Sequence, residues 1–195
     1  PVSARDAQGL APRIVVAGFG NPLRADDGVG WWAASLLHEW WEAQPVSDEV
    51  RAAVRITAGH QPLPEWAPLL ATAEVAFFID AVQLKDSDHA VALQPIGPRK
   101  RSDTPAAPPL LDGHSLGLEG LLELTYALFG HAPEAYLVTV PAQRFSFSDS
   151  LSSRTETAMQ EAVKLVQGAV LAALSAAKPG PDRSGAAETA RARAA

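Results

Sequence analysis

The chain has 195 residues, 47% hydrophobic and 19% charged, enough for one domain with a sizeable core in ordinary globular proportions. It has no cysteine, which excludes disulfides, thiolate metal sites and a cysteine nucleophile. Its net charge is −6, and residues 178–195 carry +2, leaving −8 on the rest; an acidic body argues against nucleic acid, because phosphate binding needs a basic face.

Residues 1–12 show no charged segment leading into an apolar one, so no signal peptide is expected. No apolar run reaches the length of a membrane span, so no membrane insertion is expected and a cytoplasmic location fits. Residues 13–18 are apolar, β-branched and closed by glycine, which reads as a buried strand. From Val29 the apolar residues Val29, Trp32, Ala33, Leu36, Leu37 and Trp40 recur at helical spacing, predicting a helix over about 27–43. Residues 53–57 read as a second strand, and 65–70 as a helix with Pro64 near its first turn. The third strand, 75–80, is apolar throughout and ends on Asp80. A fourth strand is expected at 90–94. Residues 95–112 hold five prolines and the basic run Arg99-Lys100-Arg101, a long irregular loop whose charges read as solvated or as facing an acidic partner. A helix over 115–128, a strand over 135–140 and a helix over 155–174 complete the order. The Ala/Gly/Pro/Arg-rich tail from 178 is expected to be disordered. Residues 1–177 thus read as one domain.

Apolar strands alternating with helices predict a three-layer α/β/α sandwich around a mostly parallel, roughly five-stranded twisted sheet. In such sheets ligands gather beyond the carboxyl ends of the strands. Asp26 and Asp27 follow the first strand, Asp80 ends the third, and His114 lies in a loop able to reach that edge. Two carboxylates and one imidazole suit a borderline divalent metal with open positions. Each also has a plainer reading. Asp26 is assigned as an N-cap for the amides of Gly28 or Val29. Asp27 falls in the first helical turn, where the helix dipole favours an acid. Asp80 is either a turn-former or a functional acid, since a carboxylate closing an apolar strand is costly without a partner. His114 opens a helix and is a ligand or a satisfied polar residue.

Two motifs are rejected. Residues 113–117 match the Gly-x-Ser-x-Gly elbow around Ser115, but the preceding proline-rich stretch cannot be a central strand, and the acid and histidine downstream come in the wrong order. Gly18-Phe19-Gly20 suggests a dinucleotide fingerprint, but Leu23 stands at the third glycine and no acid ends the second strand. Trp31, Trp32, Trp40 and Trp41 on one helix cannot all face the core, so they read either as partly exposed on a partner surface or as a thick aromatic packing face.

The stretch Gly18-Phe19-Gly20-Asn21-Pro22-Leu23-Arg24-Ala25-Asp26-Asp27-Gly28-Val29-Gly30 resembles the signature Gly-x-Gly-Asn-x-Leu-x-x-Asp-Asp/Glu-x-x-Gly of the nickel–iron hydrogenase maturation endopeptidases. Phe77-Phe78-Ile79-Asp80-Ala81-Val82 resembles that family's third-strand segment, and Gly113-His114-Ser115-Leu116-Gly117-Leu118 its His-x-x-Gly-Leu segment. Residues 137–141 and 145–151 resemble its last strand and the loop into its final helix. The resemblance implies an endopeptidase that removes the C-terminal extension of the hydrogenase large-subunit precursor after nickel insertion. It also implies that Asp27, Asp80 and His114 recognise nickel held by the precursor, or a surrogate divalent metal in isolation, and form the catalytic set. A non-cleaving assembly factor binding the nickel-loaded subunit through the same residues is the alternative. After the second strand the chain departs from the family's Asp-Gly-Gly-Thr stretch: Gly59-His60-Gln61-Pro62-Leu63-Pro64-Glu65 is similar to a His-Gln-Leu-x-Pro-Glu variant, which makes His60 a further candidate for substrate contact or metal approach.

Overall fold

The computed structural model describes residues 11–83, 90–97 and 117–176. The first apolar run forms β1 (Ile14–Phe19), buried along its whole length, and such a strand needs cover on both faces. It receives it. Ile14 and Val16 face a cluster with Val29, Ala33, Leu37 and Trp41 of α1 (Val29–Glu42) and Met159, Val163 and Val166 of α5 (Ser153–Ala176). Val15, Ala17 and Phe19 face the opposite cluster, with Leu70 of α3 (Ala67–Leu70) and Leu121 and Leu122 of α4 (Gly117–Phe129). This is the expected α/β/α sandwich.

The five strands lie in the order β2-β1-β3-β5-β4, with β2 at Val54–Gly59, β3 at Val75–Gln83, β4 at Ala92–Ile96 and β5 at Glu134–Ala142. All neighbours are parallel except β4, an antiparallel edge beside β5. The chain steps outward from β1 to β2, then returns across β1 to lay down β3. Strand order therefore reverses between β1 and β3, the topological switch point at which open α/β sheets bind ligands.

Three expectations change. The acid Asp80 does not end its strand: β3 pairs with β5 as far as Gln83↔Ala142. Its ladder with β1 stops at Gly18↔Ile79, so Asp80 is the first β3 residue without a β1 neighbour. The expected helix at 65–70 is two short turns, a 3-10 turn at Pro64–Trp66 and then α3; Pro64 and Pro68 lack the N–H that a longer helix interior would use. A five-residue helix, α2 (Asp48–Ala52), was not expected; Ser47 caps it by accepting the amide of Val50 at 3.4 Å. Of the tryptophans on α1, Trp41 is buried, whereas Trp32 is 39% exposed. Among the described residues no helix is long and apolar enough to cross a membrane.

Candidate active site

The site is built where α1 meets the carboxyl ends of β1 and β3. The first turn of α1 is pressed against both strands. A Cβ on Gly18 would lie 1.8 Å from the Gly30 carbonyl oxygen, and a Cβ on Gly30 would lie 2.3 Å from Phe19 O and 2.5 Å from Ile79 O. Only glycine permits that approach. The glycines of the first motif thus bring the loop between β1 and α1 close to the switch point; they do not cradle a dinucleotide. Within this loop Asn21 N–H donates to Asp27 Oδ2 at 3.1 Å, and Asn21 Oδ1 accepts Leu23 N–H at 2.9 Å.

Asp26 is not the cap the sequence suggests. Neither the 3-10 turn Ala25–Gly28 nor α1 has a side-chain cap. The Asp26 side chain points across the molecule to the segment between β5 and α5. Its Oδ2 accepts the amides of Gln143 and Arg144, each at 2.9 Å, and the Ser152 hydroxyl at 2.8 Å. Its Oδ1 accepts the Ser152 amide at 2.6 Å. The residue is fully buried. Burial pushes its carboxyl up, but the donors from Ser152, Gln143 and Arg144 outweigh that and hold it below the ordinary range. A carboxylate is acceptor-only, so four donors suit it ionised. Ser152 passes the tie onward as the N-cap of α5: its oxygen receives Thr155 N–H at 3.4 Å, and Thr155 Oγ1 donates to Pro141 O at 2.9 Å.

Asp80 is in the opposite condition. The alternation of β3 puts it on the same face as Phe78, under α3 and α4, with Thr139 as its register neighbour on β5. Among the described residues its carboxylate receives one hydrogen bond, from the adjacent Ala81 amide at 2.8 Å. Burial raises its pKa to about 6, the Ala81 amide opposes the rise, and the nearby negative charge of Asp27 adds to it. No ion pair to Asp27 or Asp80 occurs among the described residues. Asp80 is thus a buried acid with one donor among the described residues and a second negative charge nearby, a condition that a cation would relieve.

Of the predicted site residues, Asp27 and Asp80 lie near enough for the charge of Asp27 to raise the Asp80 carboxyl. His114 lies outside the described residues, as do Ser115, the basic run at 99–101, most of the 95–112 loop and the tail from 178. Among the described residues, no group of three or more His, Asp or Glu forms a metal set. His60 follows β2 at the same sheet edge and is exposed. Sequence reasoning missed the partners of Asp26 and a pair of exposed apolar residues beside the site. Leu23 is 59% exposed and Phe147 88%. They flank the parallel bridge Arg24↔Ser148, so the ladder register sets them side by side.

No protein-family model matches the chain, and no curated protein does. Solved structures do. The hydrogenase maturating endopeptidase HybD from E. coli superposes with a TM-score of 0.62 at 21% identity, covering 83% of this chain and 93% of that one. The [NiFe] hydrogenase maturation protease HycI from Thermococcus kodakarensis KOD1 gives 0.57 at 18% identity, over 85% of this chain and 97% of that one. Hydrogenase 2 maturation peptidase from Thaumarchaeota archaeon SCGC_AB-539-E09 gives 0.52 at 26% identity, over 81% and 97%. The chain shares the fold of these proteins, which supports the family resemblance read from its motifs.

Proposed function

We propose that this chain, built on the fold of the hydrogenase maturation proteases, is the endopeptidase that removes the C-terminal extension of a nickel–iron hydrogenase large-subunit precursor. The observation carrying this reading is the proximity of Asp27 to Asp80 at the β1/β3 switch point, each with one side-chain donor among the described residues, in the positions where the sequence resembles that family. Nickel belongs to the substrate: the precursor carries it, and Asp27, Asp80 and His114 recognise it. The residue types fit, since carboxylate oxygen and imidazole nitrogen both suit a borderline divalent ion. His114 lies three residues before the start of α4 in sequence, and α4 covers the face on which Asp80 lies.

Hydrolysis needs a water to attack the scissile carbonyl, a base to take its proton, and that proton to reach the departing amine. A carboxyl poised near neutrality serves as such a base, and the raised pKa of Asp80 gives it that character. A carboxylate held tightly by nickel is not a free base, so docking and proton transfer fall to different members of the set or to successive states of one. A variant that docks the nickel-loaded precursor without cutting it identifies the base. Leu23 and Phe147, exposed beside this edge, contact the precursor chain. The reaction takes place in the cytoplasm.

The test uses purified precursor, loaded with nickel or free of it, and mass spectrometry. Loss of the extension only from the nickel-loaded form is expected. A precursor that binds in the nickel-dependent way but keeps its full mass would mean a non-cleaving assembly factor.

A further inference from the structure

We infer that Asp26 is a positioning residue: through Ser152, Gln143 and Arg144 it locks the loop bearing Asp27 onto the segment between β5 and α5, and so fixes Asp27 relative to Asp80. This rests on the reading of Asp27 and Asp80 as the reactive pair, and deepens it.

The loop does not hold its own shape. Ala25, immediately before Asp26, has φ 50 and is the only non-glycine residue with positive φ among those described. That left-handed conformation crowds the alanine Cβ against the backbone and persists only where the surroundings over-determine it. Here they do so from the β5–α5 side. Ala25 N–H donates to Ser148 O at 2.8 Å, Asp26 N–H to Arg144 O at 3.0 Å, and Ser148 N–H to Leu23 O at 3.1 Å. The four hydrogen bonds to the Asp26 carboxylate close the seam from within. Asp27, the next residue, is held within its loop by the Asn21 amide. The seam is anchored on the residues that follow β5, the strand that also flanks Asp80 through Thr139. Both acids are thereby referred to one strand.

Asp26→Asn turns one acceptor oxygen into a donor facing amide or hydroxyl hydrogens. Ser152→Ala removes the hydroxyl tie and leaves the three amide ties. Ser152→Thr keeps the hydroxyl. A misplacement of about 1 Å costs on the order of 10²-fold in rate, so kcat for processing of the nickel-loaded precursor should fall about 10²-fold in Asp26→Asn and about tenfold in Ser152→Ala. KM should stay within about threefold, and Ser152→Thr should recover most of the loss. Hydrogen exchange on the full chain, followed by NMR, reads the geometry without substrate. The Asn21 amide, bonded to Asp27, should exchange at least about tenfold faster in Asp26→Asn and Ser152→Ala while the β1 and β3 amides keep their protection. Unchanged Asn21 exchange and kcat in both variants would overturn the inference. So would losses that merely follow the unfolded fraction, with Asn21 and the core amides accelerating together. Should wild type leave the precursor uncut, the proposed function fails, and the Asn21 exchange still decides whether Asp26 positions Asp27.

Discussion

Asp26 and Asp27 are consecutive acids on one loop, yet they sit in opposite physical regimes. Asp26 is fully buried and ringed by four donors from Gln143, Arg144 and Ser152. Asp27 is half-buried, receives the Asn21 amide, and its charge raises the pKa of Asp80. A fully satisfied buried carboxylate contributes stability and rigidity. A pair left short of donors costs stability, and such groups persist at sites where chemistry needs them. One region of the molecule therefore holds, and the other carries the acids proposed to meet the substrate's nickel.

The comparison is tested hardest by removing each kind of acid. Asp27→Ala and Asp80→Ala should fold, and should lose processing by on the order of 10³-fold; a precursor assay that shows near-wild-type turnover in either would break the contrast. Asp26→Ala strands four donors and should cost about 3 kcal/mol in denaturant unfolding, where a change below about 1 kcal/mol would show the seam to be ornamental.

Asp80→Asn should do the reverse and stabilise the fold. Folded Asp80 keeps its proton up to about pH 6, whereas the ordinary carboxyl releases it at 3.8. Between those values the folded state binds more protons than the unfolded one, so stability falls as pH rises through the window. At pH 7 the amide should therefore be more stable than wild type by about 3 kcal/mol, and the difference should shrink to near zero below about pH 4. Unfolding midpoints across that range check the sign. Asp26, with its pKa lowered, contributes stability of the opposite pH dependence, present above the ordinary carboxyl range and lost in acid.

The smallest effect belongs to the rim. Leu23→Ser and Phe147→Ser should each raise KM for the precursor severalfold, about 1 kcal/mol, with kcat unchanged. Unaltered KM in both would remove these residues from the docking surface.

Much of this architecture was legible in the chain, for identifiable reasons. Strands buried on both faces, such as Ile14–Phe19, are continuous apolar runs, and α1 and α5 span several turns, enough for periodicity to show. The five-residue α2 is too short for that. Asp80 stood out because an acid closing an apolar strand is expensive, whereas Asp27, well placed in a first helical turn, was singled out by the family resemblance. The extent of β3 past Asp80 was not legible, because it depends on pairing with β5. Asp26 was misread for the same kind of reason. A local rule offers it the amides of Gly28 and Val29, whereas its actual partners lie at Gln143, Arg144 and Ser152, beyond the reach of any window. Nickel came only from the family resemblance, since carboxylates and an imidazole do not name their metal.

The most direct test is the mass of the hydrogenase large subunit from cells that contain this protein, lack it, or carry its Asp80→Ala variant. The shortened subunit should appear only with the wild-type protein, and the extension should persist in the other two. One and the same mass in all three would contradict the account.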